Sequence, residues 1–210
     1  MMSRDVLAAP VTVENAAQLT VSVQITTISL ADIYPDIPTV GALGSGGIYI
    51  GQYDYTYTSE SPGSHRKYGL ILAPVAGGES AGVVWRNPAA DTSTANKSYY
   101  GSTNTDVLIA LGADSPLGQW VASVNAGALG GYADWYVPGY AELNIMYTNR
   151  ASIPAGEECT SANYWTSTYN SGIASYVRNP ITGAGTSVVM TNSLKCRLIR
   201  RILITDWTPV

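Results

Sequence analysis

The stretch GGYADWYVPGYAELNIMY, residues 130–147, changes character at its midpoint. Its first half is glycine-rich and aromatic, and its second half reads as a helix. Gly139 follows Pro138, and Glu142 stands three residues further on, which places Gly139 at a helix N-cap and Glu142 at N3. Leu143, Met146 and Tyr147 then recur at helical spacing and form the stripe expected to be buried. Ahead of the helix, Trp135 and Val137 alternate with Tyr136, as in a short strand. A Trp at that junction is expected to be a core residue that fastens the helix to a sheet.

Towards the N-terminus the period stays helical. SPLGQWVASVNAGAL carries Ser115 as N-cap, Pro116 at the first helical position and Gly127 as the stop. NTDVLIALG opens with Asn104 or Thr105 as a plausible N-cap. Residues 76–103 are rich in Gly, Ser, Thr, Asn and Ala and read as long surface loops that hold Trp85, Tyr99 and Tyr100. Before them, GGIYIGQYDYTYTSE alternates, and the apolar run RKYGLILAPV follows after the turn SPGS. Together they predict a hairpin whose second strand is buried. Residues 10–30 alternate as one or two strands, and 31–47 are loaded with Pro and Gly, so a boundary is expected near residue 40.

Towards the C-terminus the sequence reads as strand throughout: NYWTSTY, then IASYVRNPITGAGTSVVM with a hairpin loop at NPITGAGT, then KCRLIRRILIT. The last is apolar apart from Arg197, Arg200 and Arg201 and is expected at the centre of a sheet. The expected fold class is α+β, with two helices packed on small antiparallel sheets and a short β-rich N-terminal segment.

Bulk composition narrows the function. Of 210 residues, 46% are hydrophobic, enough for a core, and only 12% are charged against about 25% in an average domain. The 15 Tyr and 5 Trp, with no Phe, suit contact surfaces with apolar bodies and hydrogen-bonding tips. A net charge of −4 and no basic run beyond Arg200-Arg201 argue against a nucleic-acid partner. No apolar run reaches the roughly 20 residues of a membrane span. The N-terminus MMSRDVLAAP has no apolar signal-peptide core, so synthesis in the cytoplasm is expected, with export by another route or release by lysis left open.

Catalytic signatures are sparse. The single histidine, His65, sits in a turn. Glu157-Glu158 lies in PAGEECTS and reads as a solvated loop, not an acid pair. Cys159 and Cys196 lack a CxxC or Cys/His setting, which argues against zinc. They read as free or buried thiols, with a disulfide as the alternative. No enzyme, metal or cofactor is expected.

Three segments carry a family resemblance. GGYADWYVPGYAEL resembles the Gly-Gly-x-x-Asp-Trp-x-Leu-Pro-Ser-x-x-Glu-Leu motif of a C-type-lectin-like family that includes the C-terminal domain of a bacterial collagen-like adhesin and many phage virion proteins. NYWTSTYNSGIASYVRNPITG is similar to its Tyr-Trp-Ser-Ser-Thr segment, and KCRLIRRILI stands in the place of its closing Arg-Val-Arg-x-Val-Arg strand. Gly139 replaces the family's Ser, Val137 its Leu, and Thr166 the first Ser after Trp165. The resemblance covers roughly residues 44–205.

It implies a C-type-lectin-like domain over 40–210, preceded by a virion-attachment segment and linker over 1–39. It also implies a framework of Asp134, Trp135, Pro138, Glu142, Leu143, Tyr164 and Trp165. The implied role is a bacteriophage virion surface protein, a homo-oligomer that docks to other virion proteins and binds a host surface glycan or protein. Thr168, Tyr169, Asn170, Tyr176, Arg178 and Asn179 are the ligand-binding candidates. The same residues could instead be ordinary sheet surface or a contact to a neighbouring subunit, as in a head-decoration or tail-cementing protein. The lectins' Glu-Pro-Asn and Trp-Asn-Asp calcium clusters are missing, and nothing around the cysteines matches the cysteine-pair chemistry of the formylglycine-generating enzyme.

Overall fold

The structure is a computed structural model that describes residues 37–54, 67–87, 91–204 and 208–209. The N-terminal strands and most of the attachment segment, the SPGS turn, Tyr55, Tyr57 and His65 fall outside the described residues.

The described chain is a mixture of helix and antiparallel sheet, as expected for an α+β fold. Strand β1 (Leu43–Gly44) turns through Ser45 and Gly46, both at positive φ, into β2 (Gly47–Asp54). This is the two-residue turn whose twist matches a hairpin. β2 pairs with β3 (Lys67–Leu72), the predicted hairpin. β3 is interior and its apolar run is buried on both faces: Leu70 and Leu72 enter one core cluster, Ile71 the other.

A short strand β4 (Val83–Val84) and three helices follow: α1 (Gly101–Ala110), α2 (Pro116–Ala126) and α3 (Tyr140–Thr148). Among the described residues these three helices stand where two were expected, besides a single kinked turn at Val75–Gly78. α2 has the predicted ends: Ser115 Oγ accepts from Gly118 N at 3.1 Å, and Gly127 is the C-cap. α1 begins earlier than Asn104 or Thr105. Those side chains are spent on tertiary contacts: Asn104 brackets the Lys97 backbone with bonds of 2.6 and 3.1 Å, and Thr105 Oγ1 accepts from Val137 N at 3.0 Å.

The C-terminal strands are β5 (Tyr164–Ser171), β6 (Ala174–Arg178), β7 (Gly185–Val189), β8 (Ser193–Leu194) and β9 (Ile199–Leu203). β5, β6 and β7 form a three-stranded sheet with β6 in the middle. β9 is not central. It ends the order β1-β2-β3-β9, and its outer side meets a single bridge from Tyr136 to Ile199. That bridge is all that forms of the expected strand at 135–137, and Trp135, Tyr136 and Val137 are all buried.

The four-stranded sheet separates two cores. One holds Trp85, Trp135 and Trp165 with Leu108, Leu117 and Val121 of α1 and α2; the other holds Leu143 and Met146 of α3 with Tyr136 and Tyr164. Trp85 is therefore core, not loop surface. Each Trp donates its indole N–H to a carbonyl: Trp85 to Thr166 O at 2.8 Å, Trp135 to Leu129 O at 2.9 Å, Trp165 to Val83 O at 2.7 Å. That satisfies the one polar atom each ring buries.

Candidate functional site

The three sequence segments that carry the resemblance meet in space. Asp134 from the first grips Arg200 from the third, with bonds of 2.7 and 3.0 Å. Pro138 O accepts from Ser167 N of the second at 2.9 Å, and Trp165 N donates to Lys195 O at 2.9 Å. The framework residues hold this junction. Asn125 brackets the Trp135 backbone with bonds of 3.0 and 2.9 Å, and Glu142, Leu143, Tyr164 and Trp165 are each 0–1% exposed.

A buried charge cluster lies on one side of the junction. Arg197, its side chain fully buried, reaches Glu157 at 2.6 Å and Glu79 at 3.3 Å. Glu79 also takes Lys195 at 2.6 Å and the Tyr164 hydroxyl at 3.0 Å. Glu157 is thus a partly buried ion-pair partner on its loop, and not simply solvated; Glu158 is exposed and accepts from Gly156 N at 2.6 Å. Cys159 and Cys196 are free and buried. Burial pushes the Cys159 thiol up to about 12, against a weaker pull from Arg197, and pushes Cys196 well above its ordinary value. A thiol kept protonated is a poor nucleophile. Among the described residues no group of His, Cys, Asp and Glu could hold a metal ion.

The six ligand candidates divide. β6 alternates: Ser175 and Val177 are buried, whereas Tyr176 and Arg178 are half-buried on the outer face. Thr168 is 1% exposed, accepts from Tyr140 N at 3.0 Å and donates to Lys97 O at 3.1 Å. It positions the start of α3 and does not face solvent. Tyr169 packs against the tryptophan core. Asn170 is half-buried near the β5–β6 turn. Asn179 folds the β6–β7 loop, its Oδ1 accepting from Ile181 N at 2.8 Å and Thr182 N at 3.0 Å.

Tyr176 and Arg178 meet the α3 face that carries Tyr140 and Asn144. The Tyr140 ring stands 5.1 Å from the Tyr176 ring, tilted by 47°. Arg178 lies over Tyr140 at 4.3 Å from its centroid, and its Nη1 donates to Asn144 Oδ1 and to Gly183 O, both at 2.8 Å. Two turns on, Arg150 lies over Tyr147 at 4.2 Å. Tyr140, Asn144 and Tyr147 are spaced i, i+4, i+7, one stripe of α3. That spacing was readable in the sequence. Tyr147, expected in the buried stripe, is half-buried against the Gly183 loop, and the core role falls to Leu143 and Met146. The result is an aromatic strip between α3 and the β6–β7 hairpin, edged by amide and guanidinium groups. Stacking on such rings, with polar groups at the rim, is how ring-shaped polar ligands are held.

No protein-family model matches the chain, and no curated protein matches it. Among solved structures it is similar to a fimbrial protein from Bacteroides ovatus ATCC 8483, with a TM-score of 0.51 and 16% identity. The match covers 73% of this chain and 43% of that one, so the chain spans less than half the length of the fimbrial protein. At this identity the likeness is one of fold.

Proposed function

We propose that the chain is a bacteriophage virion surface protein whose C-type-lectin-like domain attaches to a host surface glycan or protein. The observation that carries this reading is the strip formed by Tyr140, Tyr176 and Arg178, half-buried and set on a helix and a strand. Support for the fold name comes from the Asp134–Arg200 pair and the Tyr136–Ile199 bridge, which join the first and third family-like segments. The likeness to a fimbrial protein agrees with a surface role. Residues 1–39 dock the protein to other virion proteins, and weak binding per copy is raised by multivalent display on a homo-oligomer or on the particle.

One observation favours a second reading, a decoration or cementing subunit. Ile173, Ile181 and Val189 are 61%, 49% and 41% exposed on and around the same three-stranded sheet, apolar area suited to a neighbouring subunit.

The test displays the full chain on beads and measures saturable binding to candidate host cells, beside Tyr140→Ala and Tyr176→Ala. Loss of binding in the variants, with folding intact, is the expected result. No binding even under multivalent display overturns attachment and favours the subunit reading.

A further inference from the structure

Five of the described cations divide by whether a carboxylate pairs with them. Arg197, Lys195 and Arg200 each lie within 3.3 Å of a carboxylate. Arg178 and Arg150 have no carboxylate partner among the described residues; each lies on a tyrosine ring of α3 instead. Arg178 donates twice from Nη1 to neutral oxygens, and its buried Nε has no hydrogen-bond partner among the described residues. A neutral amide and a carbonyl orient the guanidinium without cancelling its charge. The ring beneath it holds its plane, which leaves a planar cation fixed beside the half-buried Tyr176. Arg150 also lies on a ring and donates to Tyr147 O, and from Tyr140 to Tyr147 the helix rises about 10 Å, roughly the span of a disaccharide.

We infer that this strip takes an acidic, carboxylate-bearing glycan, with Arg178 engaging a uronate carboxylate and Tyr176 stacking on the sugar ring. The inference rests on the attachment reading and names the ligand class of the same site. With Nη1 donating twice and Nε buried, Nη2 is the nitrogen left to meet a carboxylate, and a fixed cation loses little freedom on binding. Two arginines without an ion-pair partner among the described residues thus lie on tyrosine rings along one stripe of α3.

The experiment immobilises the full chain and measures binding of polygalacturonate, its methyl ester and poly(glycerol phosphate), beside cell binding. Polygalacturonate is expected to bind and to weaken with added salt. Esterification is expected to cost about tenfold or more, the size of a lost charge-assisted hydrogen bond. Arg178→Gln is expected to lose as much, Arg178→Lys less, and Tyr176→Ala to weaken acid and ester alike, with thermal melts confirming that each variant folds. Equal binding of acid and ester, preference for the phosphate polymer, or no effect of Arg178→Gln overturns the inference. Cell binding that depends on Tyr176 but not on Arg178 leaves the attachment reading standing while the acidic ligand falls. Polygalacturonate binding without cell binding does the reverse.

Discussion

The Glu142 carboxylate caps a helix other than its own: Oε2 accepts from Gly101 N, the first residue of α1, at 3.0 Å, as well as from Gly139 N at 2.7 Å. Oε1 takes the Tyr136 hydroxyl at 2.9 Å. One buried anion thus sits at the positive ends of two helices and satisfies donors from both. The arrangement explains why glycine suffices at position 139. A side-chain cap there is unnecessary when Glu142 reaches back, and a Cβ at Gly101 would meet Val137 O and the same carboxylate.

Removing that anion should separate its charge from its acceptor role. Glu142→Gln keeps an acceptor and is expected to cost about 1–2 kcal/mol, whereas Glu142→Leu orphans three buried donors and should cost about 3 kcal/mol or more. Urea unfolding of the two variants measures the gap. Equal losses would show that the hydrogen bonds to Gly101, Gly139 and Tyr136 carry little stability.

Much of this region was legible because its signals are local. Ser115, Pro116, Gly127, Gly139 and Glu142 state helix ends through chemistry within a few residues, and the structure follows them. What was not legible depended on distant partners. Asn104 and Thr105 look like caps until Lys97 and Val137 claim their side chains. Trp85 sits in a polar stretch, yet it is fully buried because Thr166 accepts its indole N–H across the core. β9 is apolar enough for a central strand, but Tyr136 covers its outer side with one bridge in place of a strand. At the candidate site, the β6 alternation exposing Tyr176 and Arg178 was readable, while the convergence with Tyr140 and Asn144 is a tertiary fact.

Arg197 is the residue whose loss should hurt the fold most among the charges. Its side chain is fully buried, bonded to Ala73 O at 2.5 Å and paired with Glu79 and Glu157. Arg197→Met leaves Glu79 paired with Lys195 and Tyr164 but takes from Glu157 its cation, leaving it the Val75 N–H, and is expected to cost about 3 kcal/mol. Adding Glu157→Gln to that variant should recover part of the loss, because it removes one stranded charge. A double variant no more stable than Arg197→Met would show that Glu157 relaxes into solvent on its own.

The two thiols predict an alkaline limit. Cys159 is raised from an ordinary 9.0 to about 12 and Cys196 is raised as well, chiefly by burial. Above pH 9 the unfolded chain releases thiol protons that the folded chain keeps, so the unfolded state binds fewer protons and stability falls as pH rises. For Cys159 the contribution is intact below pH 9 and is lost between 9 and 12, at about 1.4 kcal/mol per pH unit, and Cys196 adds a loss of the same sign above pH 9. Urea midpoints measured across that window should decline more steeply in the wild type than in Cys159→Ala/Cys196→Ala. A thiol reagent at pH 8 should find neither cysteine in the native protein and both after denaturation.

Gly185 gives a way to disturb the aromatic strip without disturbing the fold. It stands opposite Arg178 in the β6–β7 register, and a Cβ there would strike the Tyr140 hydroxyl and ring edge. Its φ lies outside the left-handed region, so alanine meets no backbone penalty, and in a strand alanine is favoured over glycine by about 0.5–1 kcal/mol. Gly185→Ala is therefore expected to leave the melting temperature within a few degrees of wild type while moving the Tyr140 ring from beneath Arg178. Cell or glycan binding should fall by about as much as in Tyr140→Ala. Combining the two substitutions should add nothing further, since both act on the same ring. Gly183→Ala provides the contrast: its φ of +77° and its contact with the Tyr147 ring predict a loss of stability as well. Undiminished binding by Gly185→Ala would remove Tyr140 from the site and leave recognition to β6 alone.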